Sequence, residues 1–201
     1  AGIGVHSLAT NSTASAGGTL RAGRNINIDA KHDSQSEAIS LAIAGAVFVG
    51  AGAAVVSTTD TTLVQAYLEN DTEITSAANV NVRANDRRDH EADTRGVSAG
   101  AAAVGASFVV INVNNPQNAT LQETNAFIGD NVEIGLASNG EVGNVLVEAK
   151  PDITLDAQTF GLAGGIGAAS VNFAEANLEN EASATIGNSD IAATGTVTVR
   201  T

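Results

Sequence analysis

The chain has 201 residues and sets 22 Asp and Glu against 9 Lys and Arg, a formal net charge of −13. Phosphate binding needs clustered Lys and Arg, so this balance argues against a nucleic-acid partner. Cys is absent, which excludes disulfides and thiol chemistry, and only two Pro occur, which argues against a proline-rich or disordered stalk.

Hydrophobic residues make up 43% of the chain but aromatics only 3%, and Gly numbers 21. A core built from Ala, Gly and Val implies close backbone approach rather than bulky interdigitation. Met is absent too, and the chain opens in the middle of a repeat, so it reads as a segment of something longer.

Residues 1–10 (AGIGVHSLAT) read as the tail of a truncated repeat, aligning with 164–173 (GGIGAASVNF). Residues 11–24 are polar turns around a short strand. At 25–30 (NINIDA) β-branched and polar residues alternate, the mark of a half-buried strand. The same segment returns at 79–84 (NVNVRA), 144–149 (NVLVEA) and 196–201 (TVTVRT). The chain thus divides into the end of a truncated repeat (1–24), three repeats (25–78, 79–143, 144–195) and the start of another (196–201), all one continuous body.

Polar linkers follow at 31–36 (KHDSQS) and 85–90 (NDRRDH), which read as solvent-facing, and at 150–155 (KPDITL), which reads as extended. An acid-Ala pair then recurs at Glu37-Ala38, Glu91-Ala92 and Asp156-Ala157. Next come long small-residue runs at 38–56, 96–113 and 160–173. In the first, Leu41, Ile43, Val47, Val49 and Val55 share one parity and Ala42, Ala44, Ala46 and Ala54 the other. That period of two predicts strand, each run bending at its glycines into two successive strands. The first run is long enough to cross a bilayer, but its Ala/Gly content and the polar residues Arg95, Asn112 and Asn172 at the equivalent runs argue against a transmembrane segment.

A second anchor reads Ala66-Tyr67-Leu68, Ala126-Phe127-Ile128 and Ala184-Thr185-Ile186. Each is followed by an Asn/Asp/Gly turn and then Ile74, Ile134 or Ile191. The wider spacing of the second repeat is assigned to insertions at 115–118 (NPQN) and 135–143 (GLASNGEVG).

Short strands, Gly/Asn turns and repeats that cannot bury themselves alone predict an all-β fold, a repetitive β-solenoid (parallel β-helix) with Ala/Gly-rich strands. If each repeat were a single pass, Glu37, Glu91 and Asp156 would stack at about 4.8 Å and repel. That favours more than one rung per repeat.

Segments such as NVNVRA with its acid-Ala pair, AGAAAVGASFVVINVNN and AFIGDNVEI resemble the repeats of very large bacterial surface adhesins, of the filamentous haemagglutinin-like and leukotoxin-type filamentous kinds. The resemblance covers essentially the whole chain. It implies secretion to the bacterial cell surface, a β-helical shaft and a role in attachment, and it transfers no catalytic residue.

His6, His32 and His90 occupy different repeat positions, and His32 and His90 read as solvated loop residues rather than zinc ligands. The charged stretch Arg83, Asp86, Arg87, Arg88, Asp89, Glu91 and Asp93 is the best enzymatic candidate, and it also reads as a self-neutralising loop. GVSAG at 96–100 fits the nucleophile-elbow pattern with Ser98, but no His follows it as that chain order requires. Calcium is the candidate ligand, at the turn residues Asp71, Glu73, Asp130, Glu133 and Asp190, but both the EF-hand loop and the calcium nonapeptide are missing, and the same residues read first as Asn/Asp turns that hold no metal. No other cofactor is expected.

These residues lead to a structural or adhesive segment of a giant secreted filamentous protein. Its partners are its own repeats or copies, and a host or neighbouring-cell receptor or polysaccharide. A self-assembling extracellular fibre subunit, polymerising end to end by strand addition, is the alternative. A polysaccharide-acting enzyme comes third.

Overall fold

The computed structural model describes residues 1–113, 122–136 and 141–201. The chain runs β1 (Gly2–Leu8), β2 (Asn11–Ala16), β3 (Thr19–Arg21), β4 (Ile26–Gly45), β5 (Val49–Asp60), β6 (Leu63–Leu68) and β7 (Glu73–Ala99). It continues through β8 (Ala102–Val113), β9 (Gln122–Ile128), β10 (Glu133–Ile134), β11 (Val142–Gly164), β12 (Gly167–Leu178), β13 (Asn180–Ile186), β14 (Asp190–Ile191) and β15 (Val197–Arg200). The insertion assigned to 115–118 lies outside the described residues, as does part of that at 135–143.

The strands form three sheets. One is β1-β5-β8-β12 and another β13-β9-β6-β2. The third, of seven strands, is centred on β7, which pairs with β3, β4, β10 and β11. All pairings between named strands are parallel. Their register follows the anchors. Ile26, Val80, Val145 and Val197 stand side by side, as do Ala66, Ala126 and Ala184, and Ile74, Ile134 and Ile191. Registers of this kind are pinned because a one-residue slip would turn every buried side chain outward.

The all-β expectation holds: among the described residues 80% are strand and none is helical. The repetitive β-solenoid does not. Strands β4, β7 and β11 run 20, 27 and 23 residues, and the few passes make parallel sheets with a half-barrel rather than a clear succession of short-strand rungs. The physical reason is that alternation does not stop at the polar linkers. Segments 31–36 and 85–90 are not solvent-facing loops but the middles of β4 and β7, with every second residue turned inward. The preference for several rungs per repeat is corrected too. Glu37, Glu91 and Asp156 are direct neighbours in register, and all three face solvent, where water screens their repulsion. The opening segment is also shifted from its expected alignment: Ile3 pairs with Val55, in line with Phe108 and Phe173 rather than Ile166.

Two apolar clusters fill the interior. The larger joins Ile28, Val64, Leu68, Ile74, Val80, Val82, Ile128, Val132, Ile134, Val145 and Val147. The smaller holds Val56, Ala92, Val109 and Ile111. Beyond it the body thins to a blade. Its two layers are the C-terminal parts of β4, β7 and β11, and β5, β8 and β12. Inside the blade sit small residues, among them Ala42, Ala54, Ser98, Ala103 and Ser107. Glycine is required here by close approach. A Cβ on Gly50 would collide with the Ala99 carbonyl, and one on Gly96 would stand 2.8 Å from the Ala106 carbonyl oxygen. Each apolar run bends into two strands as the glycines predict, at residues 46–48 in the first repeat.

On the outer surface, equivalent side chains stack from layer to layer. Asn79 donates to Asn25 and Asn144 donates to Asn79, each at 2.8 Å. Asp29, Arg83, Glu148 and Arg200 alternate in sign across four neighbouring strands. Tyr67 and Phe127 stack with ring centroids 4.8 Å apart.

Candidate functional site

Between the two apolar clusters lies a buried polar network, placed by one strand. Along β7 the inward positions read Ala84, Asp86, Arg88, His90, Ala92, so three ionisable groups interrupt an otherwise apolar row. Asp60, at the end of β5, faces them, with Thr62 just beyond it and Thr124 on β9. Arg88, Asp60 and His90 have no exposed side-chain surface. A buried charge is tolerable only when paired and hydrogen-bonded.

These groups satisfy one another. Arg88 grips Asp86 with its Nε at 3.0 Å from Oδ1 and with Nη2 on Oδ2. Its Nη2 also donates to the Thr62 carbonyl at 3.2 Å, and Nη1 lies 3.7 Å from Asp60 Oδ1. Thr124 Oγ1 donates to Asp86 at 3.1 Å. His90 Nε2 meets Asp60 Oδ2 at 2.7 Å, and its Nδ1 meets Ser36 Oγ at 2.6 Å. Thr62 Oγ1 donates to Asp60 Oδ1 at 2.6 Å. Burial alone would raise the Asp60 pKa. The hydrogen bonds from His90 and Thr62 and the charges of Arg88 and His90 outweigh it, and hold the carboxyl below its ordinary value. Two carboxylates thus face one guanidinium and one imidazole.

Ser36, His90 and Asp60 have the connectivity of a nucleophile relay: a carboxylate orients the imidazole, which can take the hydroxyl proton. Their surroundings oppose acyl chemistry. Ser36 is only 8% exposed. The cavity that touches it is otherwise lined by Gln35 and by Glu37, Asp89 and Glu91, and these three carboxylates would repel the negative charge that develops on an acyl oxygen. The network joins β4, β5, β7 and β9 through ion pairs and hydrogen bonds.

The residues singled out from the sequence scatter. Of the charged stretch, Asp86 and Arg88 point into the network, while Arg83 joins the outer charge ladder and Asp93 pairs with the exposed Arg95 at 2.7 Å. Arg87, flanked by Asp33 and Asp152, and Asp89 and Glu91 share that outer parity. It is therefore not a loop, and His90 is a core residue rather than a solvated one. His6 is exposed on the edge strand β1, and His32 lies on β4 beside Asp86. Ser98 sits within extended β7, not on a strand-to-helix turn, and its hydroxyl is buried without a partner.

At the turns, Glu73, Glu133 and Asp190 align in register. Asp71 and Asn131 adopt the left-handed backbone that Asp and Asn tolerate. The Asp130 carboxylate accepts from the Asn188 amide at 2.8 Å, and Asp71 accepts from Asn131 Nδ2 at 3.2 Å. Both thus tie one layer to the next. Among the described residues no three His, Cys, Asp or Glu converge as a metal site, and no helix is long and apolar enough to cross a membrane.

The second feature of the surface is the blade's exterior. With small residues inside, the large apolar ones face out. Leu41, Ile43, Phe160 and Leu162 are exposed on one side, and Ile3, Val104, Phe108, Val171 and Phe173 on the other. Apolar surface is thus gathered on both sides of the blade, where single soluble chains rarely expose it in contiguous patches. Asp60, Ser36, Thr62 and Thr124 were missed from the sequence. A signal existed for their partners: Asp86, Arg88 and His90 share the parity of Val80 and Val82. The fold defines an all-β protein of stacked parallel sheets. No family model, curated protein or solved structure matches the chain.

Proposed function

We propose that the chain is a structural and adhesive segment of an extended secreted protein of the bacterial cell surface, and that it acts through its surface rather than by catalysis. The observation that carries this reading is the inverted blade, whose small residues face inward and whose large apolar residues face out on both sides. A sheet that buries Gly and Ala and displays Phe, Leu, Ile and Val is arranged for contact with something outside itself. The layer-to-layer ladders add support, because every added repeat extends the body in one direction with the same contacts. Attachment partners of this reading are a cell-surface receptor or polysaccharide. The direct test is binding of the fluorescently labelled chain to bacterial and host cells, against a variant carrying Leu41→Ser, Ile43→Ser and Leu162→Ser, all on the face formed by β4, β7 and β11. Saturable binding by the parent that falls in the variant supports adhesion. Equal binding of both, or none by either, refutes it.

A fibre subunit is the second reading, favoured by the open edges of the outermost strands. Among the described residues strand β4 pairs only with β7, and residues 149–164 of β11 likewise pair only with β7. Unpaired parallel edges of that length are templates for strand addition. Negative-stain microscopy separates the two, since a fibre subunit gives long uniform threads from the chain alone.

A further inference from the structure

The two faces of the blade differ, and one is suited to its own copy. The outward positions of β1, β5, β8 and β12 are in register from strand to strand. Ile3, Val55, Phe108 and Phe173 form one row across the sheet. Beside it run Ala53, Ala106 and Val171 on one flank, and Val5, Ser57, Val110 and Glu175 on the other. A polar row of Ser7, Thr59, Asn112 and Asn177 closes the base, where Asn177 donates to Asn112 at 3.0 Å and to Glu175 at 2.8 Å. Glu175 is the one charged side chain among these outward positions. The opposite face lacks this simplicity, because Asp93 and Arg95 stand within it and the acid row Glu37, Glu91 and Asp156 borders it.

We propose that this face, formed by the outward residues of β1, β5, β8 and β12, packs against the same face of a second copy of the chain. Two-fold rotation about an axis running along the strands reverses their order. It sets β5 over β8 and β1 over β12 while leaving each row opposite its own equivalent. Val55 then meets Phe108 of the second copy, and Ile3 meets its Phe173. The polar rows meet polar rows at the base, the smaller Val55 falls opposite the larger Phe108 at the centre, and Glu175 meets Val5 at the rim, so that an apolar centre is bordered by polar groups. Four strands at ~4.8 Å and about ten residues at ~3.3 Å give a patch of roughly 600 Å² per copy. The pair buries about twice that, at the lower limit for a specific interface and the size of a weak dimer. The proposal is independent of whether the chain also holds a cell surface, and it differs from edge-to-edge fibre growth because no backbone hydrogen bond crosses the interface.

Sedimentation equilibrium of the 201-residue chain, between about 1 and 200 µM, tests it. The expected result is a reversible monomer–dimer equilibrium. Because each copy carries −13, it tightens as salt is raised from ~20 to ~500 mM. Phe108→Glu, at an outward position, raises the dissociation constant by at least about tenfold. Phe173→Glu, on the outermost strand, does the same and serves if the first variant melts early. Leu162→Glu, on the opposite face, leaves the equilibrium unchanged. A monomer at every concentration overturns the proposal. So does association that survives both Phe substitutions, which assigns it to the edges, or association lost with Leu162→Glu. Flotation of a monomeric chain with neutral phosphatidylcholine vesicles, abolished by Phe108→Glu, assigns the face to lipid and overturns it as well.

Discussion

Replacing Arg88 by Met removes the guanidinium but keeps much of its bulk. It leaves Asp86 without its bidentate partner, Asp60 without its nearest fixed positive charge, and the Thr62 carbonyl without one donor. Deleting one member of a buried ion pair costs ~3–5 kcal/mol, because the remaining charge stays desolvated and unpaired. For a chain of this length each kcal/mol moves the melting temperature by ~2–4 °C, so a fall of about 6–20 °C is expected by calorimetry. The protein contains its own control. One layer on, Asp86, Arg88 and His90 are replaced in register by Pro151, Ile153 and Leu155, and Asp60 by Val113. Changing the whole set, with Asp60→Val, Asp86→Ala, Arg88→Ile and His90→Leu, removes every charge together and should cost far less than the single change, or stabilise. An Arg88→Met variant that melts within 2 °C of the parent would refute the view that the charges of this network are interdependent.

Three more expectations concern stability. The folded-state pKa of Asp60 lies below its unfolded value, so its contribution is present above about pH 4 and is lost as pH falls through the lowered folded value. Circular dichroism against pH should therefore show acid unfolding that is weakened in the fourfold network variant, and an unchanged profile contradicts the assignment. Thr94 and Ser98 bury hydroxyls without partners, so Thr94→Val and Ser98→Ala should each stabilise by about 1 kcal/mol in urea titration. Gly50→Ala forces the two layers of the blade apart at the Ala99 carbonyl and should cost about 1–3 kcal/mol, read as a lower melting temperature.

The sequence made the register legible to the residue. Glu37, Glu91 and Asp156, Ala66, Ala126 and Ala184, and Ile74, Ile134 and Ile191 were aligned from their order alone, and each set pairs directly. The two faces of the apolar runs were legible as well, from the parity of Leu41 and Ile43 against Ala42 and Ala44. What misled was polarity. The stretch NDRRDH looks like a loop because four of its six residues are ionisable in either sign and one more is His. Its alternation nevertheless continues that of Val80 and Val82, and parity outranks composition once a strand is committed to a pleat. The charged interior remained hidden because Asp60, Ser36 and Thr124 come from three distant strands whose meeting only the fold specifies. The opening segment was misaligned because Gly-Ile-Gly at residues 2–4 matches Gly-Ile-Gly at 165–167, an accident of low complexity that the pairing of Ile3 with Val55 overrules.

The parallel register has a mechanical consequence. Neighbouring layers are joined by one covalent crossing per repeat, and otherwise by a row of backbone hydrogen bonds with the outer Asn and charge ladders beside it. Tension applied along the stacking direction loads that row a few bonds at a time, as in opening a zipper, rather than shearing all of them together. Each layer that yields would release some 54 residues, the separation of Asn25 and Asn79, or ~180 Å of extended chain. A body built this way would lengthen under load in discrete, re-formable steps while its remaining layers stay folded.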